Sequence, residues 1–145
     1  MVRRKTEREF SAGGVVVRGD EVAVVVPHTL SPEGKKVLAL PKGHPEPGES
    51  MVDAARRESR EEAGVEGDLV EKLGDVRYWY QCRGRRIFKA VSFYLFSYTR
   101  GDVSDHDHEI EEARWMSLRE ASTALSFPGE REMVVRALSR VSGDR

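Results

Sequence analysis

The sequence predicts an α/β fold in which a mixed β-sheet lies between a helix from the middle of the chain and a helix near its C-terminal end. Runs rich in β-branched and aromatic residues alternate along the chain with two helical patterns. The chain has 145 residues, a length that allows a substantial hydrophobic core. We therefore expect residues 1–145 to form a single domain.

Two valine-rich strands open the predicted sheet. They are Phe10–Arg18 and Glu21–Pro27, and the Gly-Asp pair between them is typical of a hairpin turn. Residues 28–36 contain a Ser-Pro pair and a glycine, which favour turns. A short strand is predicted at Val37–Leu40, where the chain enters a loop rich in Gly and Pro.

A helix is predicted to begin near Met51 and to end at Gly64. Ser50 is followed three residues later by Asp53, a pattern typical of a helix N-cap, and glycine often ends a helix. Between these residues one mostly apolar stripe recurs at helical spacing, which suits packing against a sheet. The stripe consists of Val52, Ala55, Ser59 and Ala63.

The second half of the chain predicts two long strands and then three shorter elements. Leu69–Gln81, interrupted by Gly74, and Ile87–Thr99 are rich in β-branched and aromatic residues, with an Arg-Gly-Arg turn between them. A short strand, a short helix with a Ser/Glu capping pattern and a final helix with a proline in its first turn follow. These are predicted at Ala113–Met116, Ser117–Leu125 and Pro128–Ser139.

The composition fits a small cytosolic protein. The formal net charge of −1 argues against binding of long nucleic acid through bulk electrostatics. The single cysteine, Cys82, excludes an internal disulfide and a cysteine-rich zinc site. The N-terminal ten residues lack the apolar stretch of a secretory signal, and no apolar run approaches the ~20 residues that cross a bilayer. We therefore expect a cytoplasmic monomer or homodimer with no membrane partner.

Three carboxylates cluster on one face of the predicted central helix. Glu58, Glu61 and Glu62 occupy positions i, i+3 and i+4, where like charges repel, and they lie near the helix end whose dipole disfavours them. One interpretation is a solvated face on which the arginines of the same helix pair with the glutamates. The other is a site for a divalent cation, which would remove the repulsion. Hard oxygen ligands suit Mg²⁺ or Mn²⁺.

The carboxylates belong to a longer pattern that begins at Gly43. Residues 43–65 read GHPEPGESMVDAARRESREEAGV, which contains G-x5-E-x7-R-E-x-x-E-E-x-G. This segment resembles the box that defines the Nudix hydrolases, with Ser59 as the one departure. The resemblance implies an αβα sandwich over residues ~8–140. It also implies that the metals are held by Glu58, Glu61 and Glu62, with the Gly43 carbonyl as a further ligand.

The same resemblance assigns roles to residues around the box. Arg57 would orient Glu49 and the first helical turn. The sequence LPKGHPEPGE around Lys42 and His44 looks like the loop of diadenosine polyphosphate hydrolases, in which these two positions reach the phosphates. Lys89 matches a phosphate-contacting lysine of the diadenosine tetraphosphate enzymes. A flexible ammonium beside an acidic site is suited to neutralising a polyphosphate chain.

A late acidic loop supplies one more candidate. Residues 108–115 read HEIEEARW, which is similar to a segment of asymmetric diadenosine tetraphosphate hydrolases and related RNA 5′-pyrophosphohydrolases. In those enzymes the glutamate six residues before the tryptophan joins the metal site or acts as the base, and this position is Glu109 here. Acidic loops of this kind are often only solvated, so Glu109 and Glu62 both stay candidates for the general base.

Aromatic side chains bear on recognition of a nucleobase. Tyr78 and Tyr80 should share one face of their strand, with Trp79 on the other face. Most aromatic residues of the two long strands are expected in the core. Tyr80 and Phe127 are the candidates for stacking on an adenine.

These features favour a Mg²⁺- or Mn²⁺-dependent hydrolase of phosphoanhydride bonds in nucleoside diphosphate derivatives, with diadenosine polyphosphates as the favoured substrates. The expected partner is a small-molecule nucleotide. An RNA 5′-pyrophosphohydrolase and an oxidised-nucleotide (8-oxo-dGTP-type) pyrophosphatase are alternatives with the same chemistry. A non-catalytic nucleotide-binding module is the alternative from another class, although such a module has no use for three repelling carboxylates.

Overall fold

A six-stranded mixed β-sheet forms the centre of the computed structural model, which describes residues 6–142. The strands are β1 (Thr6–Arg18), β2 (Glu21–Pro27), β3 (Lys42–Gly43), β4 (Val65–Cys82), β5 (Arg85–Gly101) and β6 (Ile110–Ser117). Their order is β4-β5-β1-β2-β6, with β3 paired to β1. The β1–β5 pair is parallel and the other pairs are antiparallel.

Three helices cover the sheet: α1 (Met51–Ala63), α2 (Leu118–Ala124) and α3 (Pro128–Val141). Alternation along the strands sends neighbouring side chains to opposite faces. Phe93 and Leu95 of β5 therefore join the core beneath α3, whereas Tyr94 and Phe96 join the core beneath α1. This arrangement is the predicted sandwich, with the central helix on one face and the C-terminal helix on the other.

The ends and the buried stripe of α1 agree with the sequence prediction. The Ser50 hydroxyl accepts a hydrogen bond from the backbone N–H of Asp53 at 3.1 Å, and Gly64 adopts a left-handed conformation with φ 76°. The fully buried residues of the helix are Ala54, Ala55, Ser59 and Ala63. The predicted stripe is thus correct except that Ala54 is fully buried and Val52 only partly.

Ser59, the one departure from the usual box pattern, lies against Gly14 of β1. Its hydroxyl is buried and donates a hydrogen bond to the backbone oxygen of Ala55 at 2.8 Å. A Cβ placed on Gly14 would overlap this hydroxyl, and the next nearest atom would be Cε2 of Phe96 at 3.3 Å. Two small residues therefore let helix and strand approach closely.

Strands β1 and β2 pair only beside their connecting turn, and a connecting segment, residues 37–43, runs between them where they separate. They are paired at Val17↔Val22 and Arg18↔Glu21. In residues 37–43, Ala39 exchanges backbone hydrogen bonds with Val25 of β2, at 2.8 and 2.9 Å. Two residues further on, the oxygen of Pro41 accepts from the Gly14 N–H of β1 at 3.1 Å. The segment thus satisfies backbone groups on both separated strands.

The predicted strand at Val37–Leu40 is therefore wrong. In that stretch only Ala39 forms an isolated bridge, and the ladder with β1 is made by Lys42 and Gly43. The chain passes from one partner strand to the other within these few residues, and Pro41 has no N–H to donate. Neither partner is therefore followed long enough to make a regular strand there.

Other boundaries differ by a few residues. β4 starts at Val65, directly after the helix end, and continues through Gly74, where the ladder shifts register but does not stop. β6 starts at Ile110 instead of Ala113, because Ile110 pairs with Pro27 of β2. α3 continues past the predicted end at Ser139.

Two further expectations concern the surface. Cys82, the last residue of β4, is exposed and free. No helix between residues 6 and 142 is long and apolar enough to cross a membrane. The first five residues of the basic N-terminal segment lie outside the described part of the chain.

The close contact of α1 with β1 generates a prediction. Gly14→Ala should lower the free energy of unfolding by about 1–3 kcal/mol, since a new methyl group overpacks the core. In the Ser59→Ala background the hydroxyl is gone, so the cost of Gly14→Ala should fall by at least half. Chemical denaturation of the two single variants and the double variant measures this coupling. Additive effects would show that the Ser59 hydroxyl does not limit the approach.

Candidate active site

A cavity of about 490 Å³ lies where β1 and β2 separate, beside α1. We call it the carboxylate cavity. It brings together residues that are distant in sequence: Ser11, Val25, Pro27, Ala39, Leu40, Lys42, Gly43, His44, Glu58, Glu62, Lys89 and Glu109. Seven predicted site residues are in this set. Arg57, Glu61, Tyr80 and Phe127 are not.

Glu58 lies against the backbone of β3. A Cβ on Gly43 would overlap the Glu58 carboxylate, so this position has no room for a side chain. Burial raises the pKa of Glu58 above its usual range, although the Arg57 guanidinium opposes the shift. Gly43 thus lets a partly desolvated carboxylate approach the main chain closely.

Glu62 is the more perturbed of the two helix carboxylates in the cavity. Its Oε1 accepts the backbone N–H of Lys42 at 3.2 Å. Burial nevertheless raises the pKa of Glu62 from the ordinary 4.5 to about 7, and the charge of Glu58 adds to the shift. The ionised form of Glu62 is therefore unfavourable in the protein alone.

Arg57 joins the loop before α1 to the helix. Its Nε and Nη2 each bind a carboxylate oxygen of Glu49 at 2.9 Å, and Nη2 also donates to the His44 backbone oxygen at 3.0 Å. This bidentate pair lowers the pKa of Glu49 to about 2, and it raises that of the guanidinium. The loop that carries His44 is thereby fixed against α1.

Glu61 does not line the carboxylate cavity. Both of its carboxylate oxygens accept from Nη1 of Arg57, at 3.1 and 3.2 Å. The arginine-pairing interpretation thus describes Glu61, and in part Glu58, whose carboxylate is 3.4 Å from the same nitrogen; Glu58 and Glu62 also line the cavity. Within residues 6–142, no three His, Cys, Asp or Glu side chains are arranged so that they could hold a metal ion.

The chemistry of the donors facing the cavity fits a hard divalent cation. Glu58, Glu62 and Glu109 offer only oxygen, the ligand type that Mg²⁺ and Mn²⁺ prefer. Burial disfavours ionisation of the first two, and a cation would offset that cost. Glu61 could bind the cation only after its ion pair with Arg57 breaks.

Glu109 lies at the exposed mouth of the cavity. Its backbone oxygen accepts from the His28 N–H and its own N–H donates to the carboxylate of Asp107, both at 3.1 Å. The backbone N–H of Asp107 donates to the oxygen of Glu61 at 2.9 Å, which ties this loop to the end of α1. The backbone at Glu109 is thus tied to β2 on one side and, through Asp107, to α1 on the other.

Asp107 is a site residue that sequence reasoning missed. Its charge contributes to the raised pKa of both Glu58 and Glu62. The acidic loop between Gly101 and Glu112 contains six carboxylates, and its sequence gives no means of choosing this one. Only the hydrogen bond from its N–H to the end of α1 distinguishes it.

Two lysines and a histidine also line the cavity. Lys89 is half-buried, and this burial lowers the pKa of its ammonium. The Nδ1 of His44 is 3.2 Å from the Phe10 backbone oxygen and 3.3 Å from the Ser11 hydroxyl. The Nζ of Lys42 instead forms an ion pair with Glu130 of α3 at 2.8 Å.

A second cavity of about 520 Å³ adjoins the first, and Lys42 lines both. We call it the aromatic cavity. Tyr78 of β4 and Phe127, just before α3, line it together with apolar residues of the core. Tyr80 shares the strand face of Tyr78, with ring centroids 6.2 Å apart, but it does not line either cavity.

The Tyr80 hydroxyl is engaged elsewhere. It donates to Glu9 at 2.6 Å, a bond that raises the pKa of Tyr80 to about 12. Of the two tyrosines on this strand face, Tyr78 lines the aromatic cavity. The sequence correctly predicts that Tyr78 and Tyr80 share one face of β4. It does not show which of the two lies beside a cavity.

Curated proteins of known sequence resemble most of the chain. A Mycobacterium tuberculosis protein that carries the name mutator protein MutT4 is 36% identical over 136 residues, covering 90% of this chain and 55% of that protein. The asymmetrical bis(5′-nucleosyl)-tetraphosphatase of Rattus norvegicus is 33% identical over 93 residues, 60% of each chain. An 8-oxo-(d)GTP phosphatase of Mycolicibacterium smegmatis is 31% identical over 102 residues, 70% of this chain and 30% of that protein. The chain thus spans 30% to 60% of the length of these relatives.

Solved structures share the fold. An Ap4A hydrolase binary complex from C. elegans has a TM-score of 0.65 and 20% identity, over 93% of this chain and 98% of that chain. A mutator MutT protein from Bacillus halodurans has a TM-score of 0.70 and 19% identity, over 94% and 84%. The model of the NUDIX domain family matches residues 7–137. Since this match covers most of the residues that form the sheet and its helices, the chain belongs to the Nudix family.

Proposed function

We propose that this protein is a divalent-cation-dependent hydrolase of phosphoanhydride bonds in nucleotides, with diadenosine polyphosphates as its preferred substrates. The observation that carries the proposal is that two desolvated carboxylates, Glu58 and Glu62, line the same cavity as Lys89. A cation and a phosphate chain together would satisfy both sets of charges.

The two adjoining cavities suit the two parts of a nucleotide. The aromatic cavity presents Tyr78 and Phe127, whose rings can stack on a base. The carboxylate cavity next to it would take the phosphates. Lys42 lines both cavities and so lies where base and phosphates would meet.

Glu58, Glu62 and the Gly43 carbonyl would hold the cation, with Glu61 and Glu109 as further ligands. A bound divalent cation would polarise phosphoryl oxygens as a Lewis acid and lower the pKa of a water molecule. The loop fixed by Arg57 presents His44, which with Lys89 offsets charge on the phosphate chain. A carboxylate of Glu109 or Glu62 takes the proton of the attacking water.

The names of the relatives indicate more than one substrate class. One relative is named for asymmetrical cleavage of bis(5′-nucleosyl) tetraphosphates and another for 8-oxo-(d)GTP. We favour the dinucleoside polyphosphate because Lys42, His44 and Lys89 all line the carboxylate cavity and Lys42 also lines the aromatic cavity. A longer phosphate chain uses more of these groups than a nucleoside diphosphate sugar does.

A nucleotide panel tests the proposed function. With Mg²⁺, diadenosine tetra- to hexaphosphate should be hydrolysed at least ~10-fold faster than ADP-ribose or 8-oxo-dGTP, because they engage more of the phosphate-binding groups. The tetraphosphate should yield ATP and AMP, since one end is anchored. Chromatography of the products measures both. Two ADP as the only products would contradict the geometry, and a preference for 5′-triphosphorylated RNA would favour the alternative enzyme.

Glu62 gives a prediction about stability without metal. Its folded-state pKa of about 7 lies above the ordinary 4.5, so between these values the folded protein binds the extra proton. In EDTA the free energy of unfolding should therefore fall, by on the order of 1–3 kcal/mol, as pH rises from about 5 to about 8. Added Mg²⁺ should restore stability at the higher pH.

The control for this prediction is a pair of variants. Glu62→Gln should remove more than half of the pH dependence, and the exposed Glu112→Gln should leave it unchanged. Urea denaturation at a series of pH values provides the measurement. The same slope in wild type and Glu62→Gln would show that Glu62 is not the group responsible.

A last prediction separates the two candidate bases. Glu109→Gln should lower kcat by about 10²–10⁴-fold, the usual contribution of a general base. Its melting temperature should change by less than about 4 °C, because Glu109 is exposed. Glu112→Gln, three residues away and outside the cavity, should cost less than about tenfold. Equal losses in both variants would leave Glu62 as the base.

A further inference from the structure

Glu130 is a buried acid on the helix opposite the Nudix box. It is 4% exposed, and both of its carboxylate oxygens have partners. Oε1 accepts the backbone N–H of Leu40 at 2.8 Å, and Oε2 pairs with the Nζ of Lys42 at 2.8 Å. One carboxylate from α3 thus holds both the main chain and a side chain of the segment that leads into the carboxylate cavity.

Lys42 is restrained from both faces of the sheet. Its backbone N–H donates to Glu62 of α1, whereas its ammonium binds Glu130 of α3. The ammonium is also 5.1 Å from the ring centroid of Phe127. A lysine that only neutralised phosphate would need none of these restraints, because a flexible ammonium is suited to that task.

The position of this ion pair gives the restraint a purpose. Lys42 lines both cavities: its backbone N–H binds Glu62 of the carboxylate cavity, and its ammonium lies beside Glu130 and Phe127, which line the aromatic cavity. Successive phosphates of a polyphosphate chain are chemically alike, and a mobile cation could neutralise any of them. An ammonium held in place by Glu130 favours one phosphate, and the phosphate that then reaches Glu58 and Glu62 is determined by the distance along the chain.

We propose that Glu130 is a positioning residue that fixes the Lys42 ammonium beside the aromatic cavity and thereby determines which phosphoanhydride bond is cleaved. This inference rests on the proposed function and adds a determinant of the cleavage position to it. Glu130 acts through Lys42 and does not itself touch the phosphates.

The informative change is Glu130→Gln. The amide oxygen can still accept the Leu40 N–H, but a neutral amide holds an ammonium less firmly than a carboxylate does. With diadenosine tetraphosphate and Mg²⁺, kcat should fall by roughly 10–100-fold, because the phosphate chain is misplaced. The products should also change, from ATP and AMP alone to a mixture that contains ADP. A residue with only a structural role would lower the rate without changing the products.

A double-variant cycle shows whether the effect passes through Lys42. Lys42→Met should change the product ratio in the same direction, and adding Glu130→Gln should then alter rate and products by less than about twofold. Glu120→Gln on the exposed surface of α2 is the control and should behave as wild type. If Glu130→Gln does not fold, Glu130→Asp keeps the charge, displaces the ammonium and should give the same mixture.

The outcomes separate this inference from the proposed function. Wild-type cleavage to ATP and AMP, together with an unchanged product ratio in Glu130→Gln, would overturn the inference and leave the proposed function standing. The same loss of rate in the presence and absence of Lys42 would also overturn it. A wild-type protein that cleaves no nucleotide would contradict both the proposed function and the inference about Glu130.

Discussion

The Arg57 guanidinium is the interaction on which the arrangement of the site depends. Four carboxylates lie within 3.4 Å of it, Glu46 and Glu49 from the loop and Glu58 and Glu61 from α1. Its side chain is only 16% exposed, so solvent screens these pairs less than it would on the surface. A planar fork with five donors can bind Glu49 in a bidentate manner and the main chain of His44 at the same time. A lysine has no such geometry.

The unfavourable electrostatics of the site arise from buried charge and not from missing hydrogen bonds. Within residues 6–142, every buried side-chain nitrogen or oxygen has a hydrogen-bond partner. Burial nevertheless raises the pKa of Glu58 and Glu62, and Asp107 adds a further negative charge. Hydrogen bonding of buried side chains is thus satisfied throughout the described part of the chain, whereas ionisation of the cavity carboxylates is disfavoured. Such a contrast is typical of sites at which stability is lost in favour of function.

Features encoded within a few neighbouring residues could be predicted from the sequence. The α1 helix was predicted correctly because its cap, its stripe and its glycine end all lie within fifteen residues. The packing role of Ser59 could not be predicted, because its neighbour Gly14 is distant in sequence. The direction of Glu61 and the choice of Tyr78 over Tyr80 likewise depend on tertiary geometry. Helical spacing shows that side chains are neighbours, but not which of them an arginine will bind.

The segment between the separated strands also determines where the chain can change its length. Ala39 is bonded to β2, and Lys42 and Gly43 are bonded to β1, so the spacing between these residues matches the gap between two strands. One inserted or deleted residue there would rotate Gly43 away from Glu58 and place a side chain where none fits. The preceding turn, residues 28–36, is mostly exposed. Natural variation in loop length should therefore be concentrated in residues 28–36, and residues 39–43 should keep a constant length across the family.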